Sequence, residues 1–169
     1  MTSPRFRSQR LEATHDVAGF TCGNEALDRW LHQHAATAQA KRTSVTYVWT
    51  TAEGRVAAAY YSLAPHLIEN ADLPKRLGRG DPRQIPAILL ARLALSNELR
   101  GTGLGGILLH DALSRAVAAS QQAGGRYVVV DAIDDDARQF YEHYGFTATP
   151  RPDRLVRKVS DIEADIKTA

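Results

Sequence analysis

The sequence predicts an α/β fold of the α+β type, with an antiparallel first half and a parallel crossover in the second half. Residues 44–50 and 56–63 are rich in β-formers and flank Glu53-Gly54, and two such runs around a short glycine turn are typical of an antiparallel hairpin. Residues 91–132 contain an apolar strand, a glycine-rich turn, a helix and a second strand. Strand, helix and strand in that order indicate a right-handed parallel crossover.

The elements before the crossover follow from capping residues and chain breakers. Residues 6–11 predict a short first strand. Asn24 can cap a helix that begins at Glu25. One face of that helix carries, at helical spacing, Leu27, Trp30, Leu31, His34 and Ala35. Residues 65–86 are rich in proline and glycine and predict a long loop with a helical turn, and long ordered loops tend to be functional.

The crossover helix is expected over residues 104–123, because Gly124-Gly125 ends it, and the following strand over residues 127–132. Residues 134–136 are three aspartates that open another helix, where carboxylates favour the N-terminal dipole, and that helix stops at Gly145. Residues 146–149 and 155–159 are the expected last two strands, and residues 160–168 are expected to form a polar tail.

Composition predicts one globular domain over residues 1–169, because 44% of the residues are hydrophobic. No apolar run is long enough to span a membrane, and the first residues, Met1-Thr2-Ser3-Pro4, are not followed by the apolar region of a signal peptide. Cys22 is the single cysteine and has no metal ligands beside it. We therefore expect a cytoplasmic protein without a metal site.

The glycine-rich turn between the apolar strand and the crossover helix is suited to binding an anion. Gly101, Gly103, Gly105 and Gly106 remove the Cβ atoms that would keep a ligand away from the backbone. The helix that follows offers unpaired N–H groups with a partial positive charge. A diphosphate suits such a turn, since several N–H groups converge on its oxygens.

The type of diphosphate depends on the residues around the glycines. A P-loop requires Lys-Ser or Lys-Thr after its last glycine, and Gly106-Ile107 stands there instead, which argues against a nucleoside triphosphatase. A dinucleotide fingerprint can be placed on Gly101, Gly103 and Gly106, with Asp131 after the next strand as its acidic residue, and this alternative stays open.

Two motifs resemble those of the GCN5-related N-acetyltransferases. Arg100-x-x-Gly103-x-Gly105 is similar to their R/Q-x-x-G-x-G/A signature, which binds the pyrophosphate of acetyl-CoA. The segment from Ala137 to Phe146 is similar to their A-x-x-F-Y-x-x-x-G-F segment. The resemblance implies a mostly antiparallel mixed sheet with helices on both faces, a central parallel crossover, and fourth and fifth strands that splay apart. It also implies acetyl-CoA as cofactor, bound by Leu93, Ala94, Leu95, Arg100, Gly101, Thr102, Gly103, Leu104, Gly105 and Gly106.

The resemblance assigns the catalytic role to Tyr141, whose hydroxyl would protonate the departing thiolate. A phenol with a pKa near 10 stays protonated at neutral pH and still donates. The alternative is that Tyr141 only packs beside Phe140. Backbone N–H groups at residues 93–95 would polarise the thioester oxygen.

The acetyl acceptor must be a neutral amine, and the sequence offers no obvious base for it. Leu93-Ala94-Leu95 lacks the carboxylate that many family members place nearby, and Glu98 is expected to be solvated. An α-amine of pKa near 8 is roughly a few hundredfold more often neutral at pH 7.4 than a lysine of pKa about 10.4. The site is therefore expected to favour an α-amine.

Three further segments are similar to the acetyltransferase toxins of bacterial toxin–antitoxin pairs. They are Phe20-x-Cys22-Gly23-x-x-x-Leu27-Asp28-x-Trp30-Leu31, then Tyr60-Tyr61-Ser62-Leu63-Ala64, then Ile85-Pro86-x-x-Leu89-Leu90-Ala91-Arg92-Leu93-Ala94. The resemblance implies acetylation of the α-amine on aminoacyl-tRNA, a cognate antitoxin of possible ribbon-helix-helix type, and a homodimer.

A tRNA substrate requires basic surface, for which three groups of residues are candidates. They are Lys41 and Arg42 after the first helix, Lys75, Arg76, Arg79 and Arg83 in the predicted loop, and Arg151, Arg154, Arg157 and Lys158 near the end. Each group is also consistent with an ordinary solvated face, and a net charge of +2 is low for a dedicated RNA binder.

Three hypotheses follow. The first is an aminoacyl-tRNA N-acetyltransferase toxin. The second is an acetyltransferase of a small amine or a protein N-terminus without toxicity, and the third is a non-catalytic module that binds acetyl-CoA weakly or not at all.

Overall fold

The computed structural model describes residues 5–51 and 54–168. Glu53 of the predicted hairpin turn and the start Met1-Thr2-Ser3-Pro4 lie outside the described residues. The strands are β1 (Phe6–Arg10), β2 (Val45–Thr51), β3 (Ala59–Glu69), β4 (Gln84–Leu95), β5 (Tyr127–Asp131), β6 (Thr147–Ala148) and β7 (Arg154–Lys158). The helices are α1 (Glu25–Gln33), α2 (Ala35–Ala40), α3 (Leu104–Ala123), α4 (Asp135–His143) and α5 (Val159–Thr168).

The strands form one seven-stranded sheet in the order β1-β2-β3-β4-β5-β7-β6. Strand β2 pairs antiparallel with β1 and β3, and β7 pairs antiparallel with β5 and β6. Strands β4 and β5 are parallel and are joined through α3, so the predicted mixed sheet and its parallel crossover are confirmed. Their register runs from Ala87↔Tyr127 to Leu89↔Val129, although β4 continues to Leu95. The two strands thus pair over a short stretch, as the expected splay requires.

Backbone contacts divide the chain into two compact units. The first unit extends to Ala64 and includes Ala91–Ala112, and the second comprises Pro65–Leu90 and the chain from Leu113 onward. Whether residues 1–169 act as a single domain stays a prediction. None of the described helices has the length and apolar character needed to cross a membrane.

The first unit has α1 and α3 against opposite faces of its strands. The predicted cap of α1 is confirmed, because Asn24 Oδ1 accepts the N–H of Leu27 over 3.0 Å. Neighbouring residues of β3 show the two faces: the hydroxyl of Tyr60 donates to the carbonyl oxygen of Leu27 in α1, whereas that of Tyr61 donates to Asp111 in α3. The core on the α1 side contains Leu11, Phe20, Cys22, Leu31, Ala35, Val48, Ala57, Tyr60 and Ala94.

The second unit has its own core on β5 and its neighbours, formed by Ile68, Leu73, Ile85, Ala87, Tyr127, Val129 and Val156. Its helix α4 begins as predicted, because the carboxylate of Asp134 accepts the N–H of Ala137 over 2.8 Å. The chain leaves this helix at Gly145, whose φ of +90° favours glycine.

The predicted long loop over residues 65–86 is wrong in its extent. Strand β3 continues to Glu69 and β4 begins at Gln84, so Pro65 and Pro86 lie inside strands, and the predicted helical turn is the 3-10 helix Asn70–Asp72. Proline's fixed φ is compatible with an extended backbone and removes one donor. The loop is therefore only the stretch around residues 73–83.

Two other boundaries also differ. The predicted polar tail is helix α5, because Val159 and Ile162 are buried while its charged residues remain on the outer face. The predicted strand at residue 56 begins later, at Ala59, and Val56 is 59% exposed in an isolated bridge with Asp16.

Candidate active site

The glycine-rich turn connects the end of β4 to the start of α3. After a 3-10 turn at Asn97–Leu99, Gly101 and Gly103 have φ of +75° and +80°, a region that L side chains rarely adopt. A Cβ on either glycine would meet no described atom within 4 Å. The space above the turn is therefore open, and the first N–H groups of the 20-residue α3 are available to an anion there.

The turn is tied to the segment that precedes α1. Arg100 Nη1 donates to the carbonyl oxygen of Cys22 over 2.8 Å, and the N–H of Asn97 donates to the carbonyl oxygen of Thr21 over 2.8 Å. Thr102 Oγ1 donates to the carbonyl oxygen of Leu99. One N–H group of the Arg100 guanidinium is thus bound within the protein, and the glycine backbone and the start of α3 offer further donors to a cofactor.

The thiol of Cys22 is not a reactive nucleophile. Burial, followed by its hydrogen bond with Asp28, raises the pKa of Cys22 to about 11. The thiol of Cys22 therefore stays protonated at neutral pH. Among the described residues, no group of three His, Cys, Asp or Glu side chains could hold a metal ion.

Helix α3 is fixed to the sheet by a buried carboxylate that sequence reasoning missed. Asp111 is 8% exposed, and its Oδ2 accepts hydrogen bonds from Ser8 Oγ over 2.6 Å, Trp49 Nε1 over 3.1 Å and Tyr61 OH over 2.9 Å. The available signal was a carboxylate inside an apolar helix face, between Leu108 and Ala112. This contact sets the position of the helix whose first turn faces the open space.

The acyl-binding segment predicted at Leu93, Ala94 and Leu95 is the last part of β4, in the first unit with the turn. Ala94 is buried in the core on the α1 side. On the same face, the Arg92 guanidinium lies 3.9 Å from the centroid of the Trp30 ring. The sequence analysis placed Trp30 on the apolar face of the first helix and gave Arg92 no role of its own.

Tyr141 lies in α4 of the second unit and is 8% exposed. Its ring contacts Phe140 and Phe146 edge to face, with centroids 5.4 Å and 5.5 Å away. Burial alone raises the pKa of Tyr141, so the phenol stays neutral at physiological pH. Within the part of the chain that the structure describes, its hydroxyl has no hydrogen-bond partner. The packing role weighed as an alternative is present, and it leaves the hydroxyl free to donate.

Two carboxylates singled out from the sequence have different environments. Glu98 is exposed, as expected. Asp131 accepts two hydrogen bonds of 2.8 Å from Arg154, which lower the pKa of its carboxyl. The dinucleotide alternative is wrong, because it requires a doubly wound parallel sheet, whereas β1, β2 and β3 pair antiparallel here, as do β5, β7 and β6.

The basic residues that are candidates for tRNA binding differ in their exposure and in their ion pairs. All six residues of the first two groups are exposed, namely Lys41, Arg42, Lys75, Arg76, Arg79 and Arg83. No carboxylate of the described residues forms an ion pair with these six. In the third group, Arg154 pairs with Asp131 and Arg157 with Asp165, so this group is the least available. Arg42 has a φ of +62° and lines a cavity of about 560 Å³ with Arg10, His15 and His32.

Known proteins share both the sequence and the fold. A family model described as an acetyltransferase (GNAT) domain matches residues 81–163. A tRNA-acetylating toxin of Mycobacterium tuberculosis is 37% identical over 157 residues, which is 92% of this chain and 93% of that protein.

Two solved structures are similar over almost their whole length. The first is AtaT complexed with acetyl-methionyl-tRNAfMet, with a TM-score of 0.87, 27% identity and coverage of 95% of this chain and 99% of that one. The second is a tyrosine-to-phenylalanine mutant of AtaT bound to the C-terminus of the antitoxin AtaR and acetyl-CoA. Its TM-score is 0.83, with 25% identity and coverage of 96% and 98%.

Proposed function

Because the chain belongs to the GCN5-related N-acetyltransferases and uses acetyl-CoA, we propose that its acceptor is the α-amine of an aminoacyl-tRNA and that it acts as a toxin that blocks translation. The observation that carries this proposal is 37% identity to a tRNA-acetylating toxin over nearly the whole of both chains. The likeness to AtaT in complex with acetyl-methionyl-tRNA supports the same acceptor.

The residues around the glycine turn fit acetyl-CoA. Gly101 and Gly103 hold the backbone in a glycine conformation below open space, and α3 presents its N-terminus there. In the proposal, backbone N–H groups from Gly101 to Gly106 bind the pyrophosphate, while Arg100 and Thr102 hold the turn in shape. When bound, acetyl-CoA supplies the acetyl group as a thioester.

Residues 93–95 and Tyr141 perform the chemical step in this proposal. Backbone N–H groups at the end of β4 polarise the carbonyl oxygen of the acetyl group. Tyr141 donates its hydroxyl proton to the departing sulfur, and its raised pKa ensures that the proton is present. The neighbouring rings of Phe140 and Phe146 fix the phenol ring without offering the hydroxyl another partner.

The acceptor amine has to be neutral before it attacks. The end of β4 carries no carboxylate, and Glu98 in the turn after it is exposed, so these sequence neighbours supply no buried general base for residues 93–95. An α-amine suits such a site because its pKa of about 8 leaves a substantial neutral fraction at physiological pH. A lysine side chain would be almost entirely protonated.

The proposed partners follow from the same assignment. The exposed cations of the loop and of the segment after α1 are the candidate contacts for tRNA phosphates, namely Lys75, Arg76, Arg79, Arg83, Lys41 and Arg42. A cognate antitoxin is supported by the likeness to AtaT bound to AtaR, and its possible ribbon-helix-helix type and a homodimer of this chain remain part of the proposal. A tRNA substrate would place the protein in the cytoplasm.

The test is to incubate the purified protein with labelled acetyl-CoA and a pool of charged tRNA, with uncharged tRNA and free amino acids as controls. We expect label on the aminoacyl end that depends on charging and falls at least about 100-fold in Tyr141→Phe. Tyr144→Phe is the matched control, since Tyr144 follows the same helix and is 37% exposed. Label on a small amine or a protein N-terminus, with none on charged tRNA, would replace the acceptor, and full activity of a folded Tyr141→Phe would remove its role.

A cellular test separates toxicity from catalysis. Expression without an antitoxin is expected to arrest growth, and Tyr141→Phe is expected to relieve the arrest at equal protein level. Growth arrest that persists with the folded variant would contradict the proposal.

A further inference from the structure

Arg92 is a partly buried cation without a carboxylate partner. Its guanidinium carbon lies 3.9 Å from the centroid of the Trp30 ring. Within residues 5–51 and 54–168, no carboxylate lies within ion-pair distance of its nitrogens. Burial lowers the pKa of Arg92, which shows that the charge is poorly solvated where it stands. A planar, permanently charged fork of N–H donors is thus held in place without a carboxylate partner among the described residues.

The aromatic side chain that Arg92 contacts is held in place by its own neighbours. The Trp30 ring contacts the Arg92 guanidinium and lies nearly parallel to the Tyr60 ring, whose centroid is 6.2 Å away at an interplanar angle of 10°. Tyr60 is anchored by its hydroxyl, which donates to the carbonyl oxygen of Leu27 over 2.7 Å. The feature that Arg92 offers a ligand is the charge of its guanidinium, so the ligand is an anion.

The place of Arg92 in the sheet suggests which anion. It immediately precedes residues 93–95 and contacts α1, whereas α3, which carries the glycine turn at its start, lies on the opposite face of the same unit. An acceptor that approaches residues 93–95 from the α1 face passes beside Arg92. In an aminoacyl-tRNA, the anion nearest the reactive amine is the phosphodiester that links the terminal adenosine to the preceding nucleotide.

We propose that Arg92, held on Trp30, binds the 3′-terminal phosphodiester of the acceptor and thereby selects an aminoacyl-nucleotide over a free amine. This inference rests on the proposed aminoacyl-tRNA function and adds a specificity residue to it. Arginine suits the role because its fork matches two phosphate oxygens. Arg92 positions the acceptor and takes no part in proton transfer.

The test compares three acceptors that carry the same amino acid: its ester with adenosine, which has no phosphate, its ester with the dinucleotide cytidylyl-adenosine, which has one phosphodiester, and charged tRNA. For the wild-type chain, kcat/KM is expected to rise at least about tenfold from the adenosine ester to the dinucleotide ester. In Arg92→Gln this rise is expected to vanish, while activity on the adenosine ester and the KM for acetyl-CoA stay unchanged. Arg92→Lys keeps the positive charge and an aliphatic chain, and it should therefore retain part of the increase in kcat/KM.

Arg29→Gln is the matched control, because Arg29 is an exposed arginine of α1 beside Trp30, and it is expected to keep the full rise. An equal loss on the adenosine and dinucleotide esters in Arg92→Gln and Arg92→Lys would mean a structural role and would overturn the inference. Equal kcat/KM values of the wild-type chain for the two esters would also overturn the inference. Acetylation of free amino acids that depends on Arg92 would overturn it as well, because the anion bound by Arg92 would then be a carboxylate. If the wild-type chain acetylates none of the three esters, the proposed function itself fails.

Discussion

Arg100 and Cys22 join the two sequence motifs that lie farthest apart in the first unit. Nη1 of Arg100 donates to the carbonyl oxygen of Cys22 over 2.8 Å, and a Cβ at the following residue, Gly23, would lie 2.6 Å from that nitrogen. Gly23 also has a φ of +88°. The glycine beside Cys22 therefore leaves the space through which Arg100 reaches the segment before α1, and this contact supports the shape of the glycine turn.

Removal of this contact is expected to weaken acetyl-CoA binding. Arg100→Met loses a charge-assisted hydrogen bond, for which we expect about 1–2 kcal/mol, or roughly a tenfold increase in the Kd for acetyl-CoA. Gly23→Ala is expected to act in the same direction, since its Cβ would displace Nη1. Calorimetric titration with acetyl-CoA measures both effects. Arg29→Met serves as the exposed control, and an unchanged Kd in Arg100→Met would show that the contact does not shape the turn.

The elements that sequence reasoning located correctly are those with local chemical signals. Asn24 and Asp134 cap helices through their own side chains, and Gly145 ends one by its φ, so each boundary is encoded within a few residues. The parallel crossover follows from the order of a strand, a helix and a strand. Such features depend little on the rest of the fold.

The features that the sequence analysis misplaced or missed depend on residues that are far away in sequence. The extent of β3 and β4 was obscured because Pro65 and Pro86 suggested a loop, although an extended backbone accepts proline. No motif assigned a role to Asp111 or to Arg92. Their importance comes from partners far away in sequence, three donors on β1, β2 and β3 for Asp111 and one indole on α1 for Arg92.

Asp111→Ala is expected to destabilise the protein strongly. The substitution leaves the Trp49 indole N–H and the Tyr61 hydroxyl buried without their carboxylate acceptor, together with Ser8 Oγ. We expect a loss of about 3 kcal/mol or more in the free energy of unfolding, because hydrogen bonds to a charged group contribute about 1.5–3 kcal/mol. Urea denaturation provides the measurement. Asp161→Ala on an exposed turn of α5 should change the same quantity by less than about 1 kcal/mol, and an equally small change in Asp111→Ala would contradict the anchoring role.

The pH dependence of acetylation is expected to show an acidic limb alone. Burial raises the pKa of Tyr141, so this phenol keeps its proton throughout the range in which the protein is assayed. The acceptor α-amine loses its proton near pH 8, and the rate should therefore rise up to about that pH and then remain level. The measurement is kcat/KM for charged tRNA between pH 6 and 9.5. A decline beginning below about pH 9 would mean that the proton donor has an ordinary or lowered pKa, contrary to the burial of Tyr141.

A pair in the second unit predicts a loss of stability in mild acid. Arg154 Nη1 lies 2.9 Å from Nε2 of His66, and since arginine only donates, Nε2 must be the unprotonated acceptor. Burial, and then the charge of Arg154, lowers the pKa of His66 below its usual value. As the pH falls below about 6.5, the unfolded chain binds the proton first, so the stability is complete above that pH and is lost below it.

The corresponding experiment is to measure the free energy of unfolding of the wild-type chain and of His66→Gln between pH 8 and 5. The advantage of the wild-type chain is expected to shrink across this window, whereas His34→Gln, an exposed histidine in the first unit, should follow the wild-type curve. The stability that Asp131 contributes can be separated from that of His66. Because the pKa of Asp131 is lowered in the folded protein, this stability is lost only below about pH 4. An NMR titration that places the His66 transition at or above pH 6.5 would contradict a pKa lowered by burial and by the charge of Arg154.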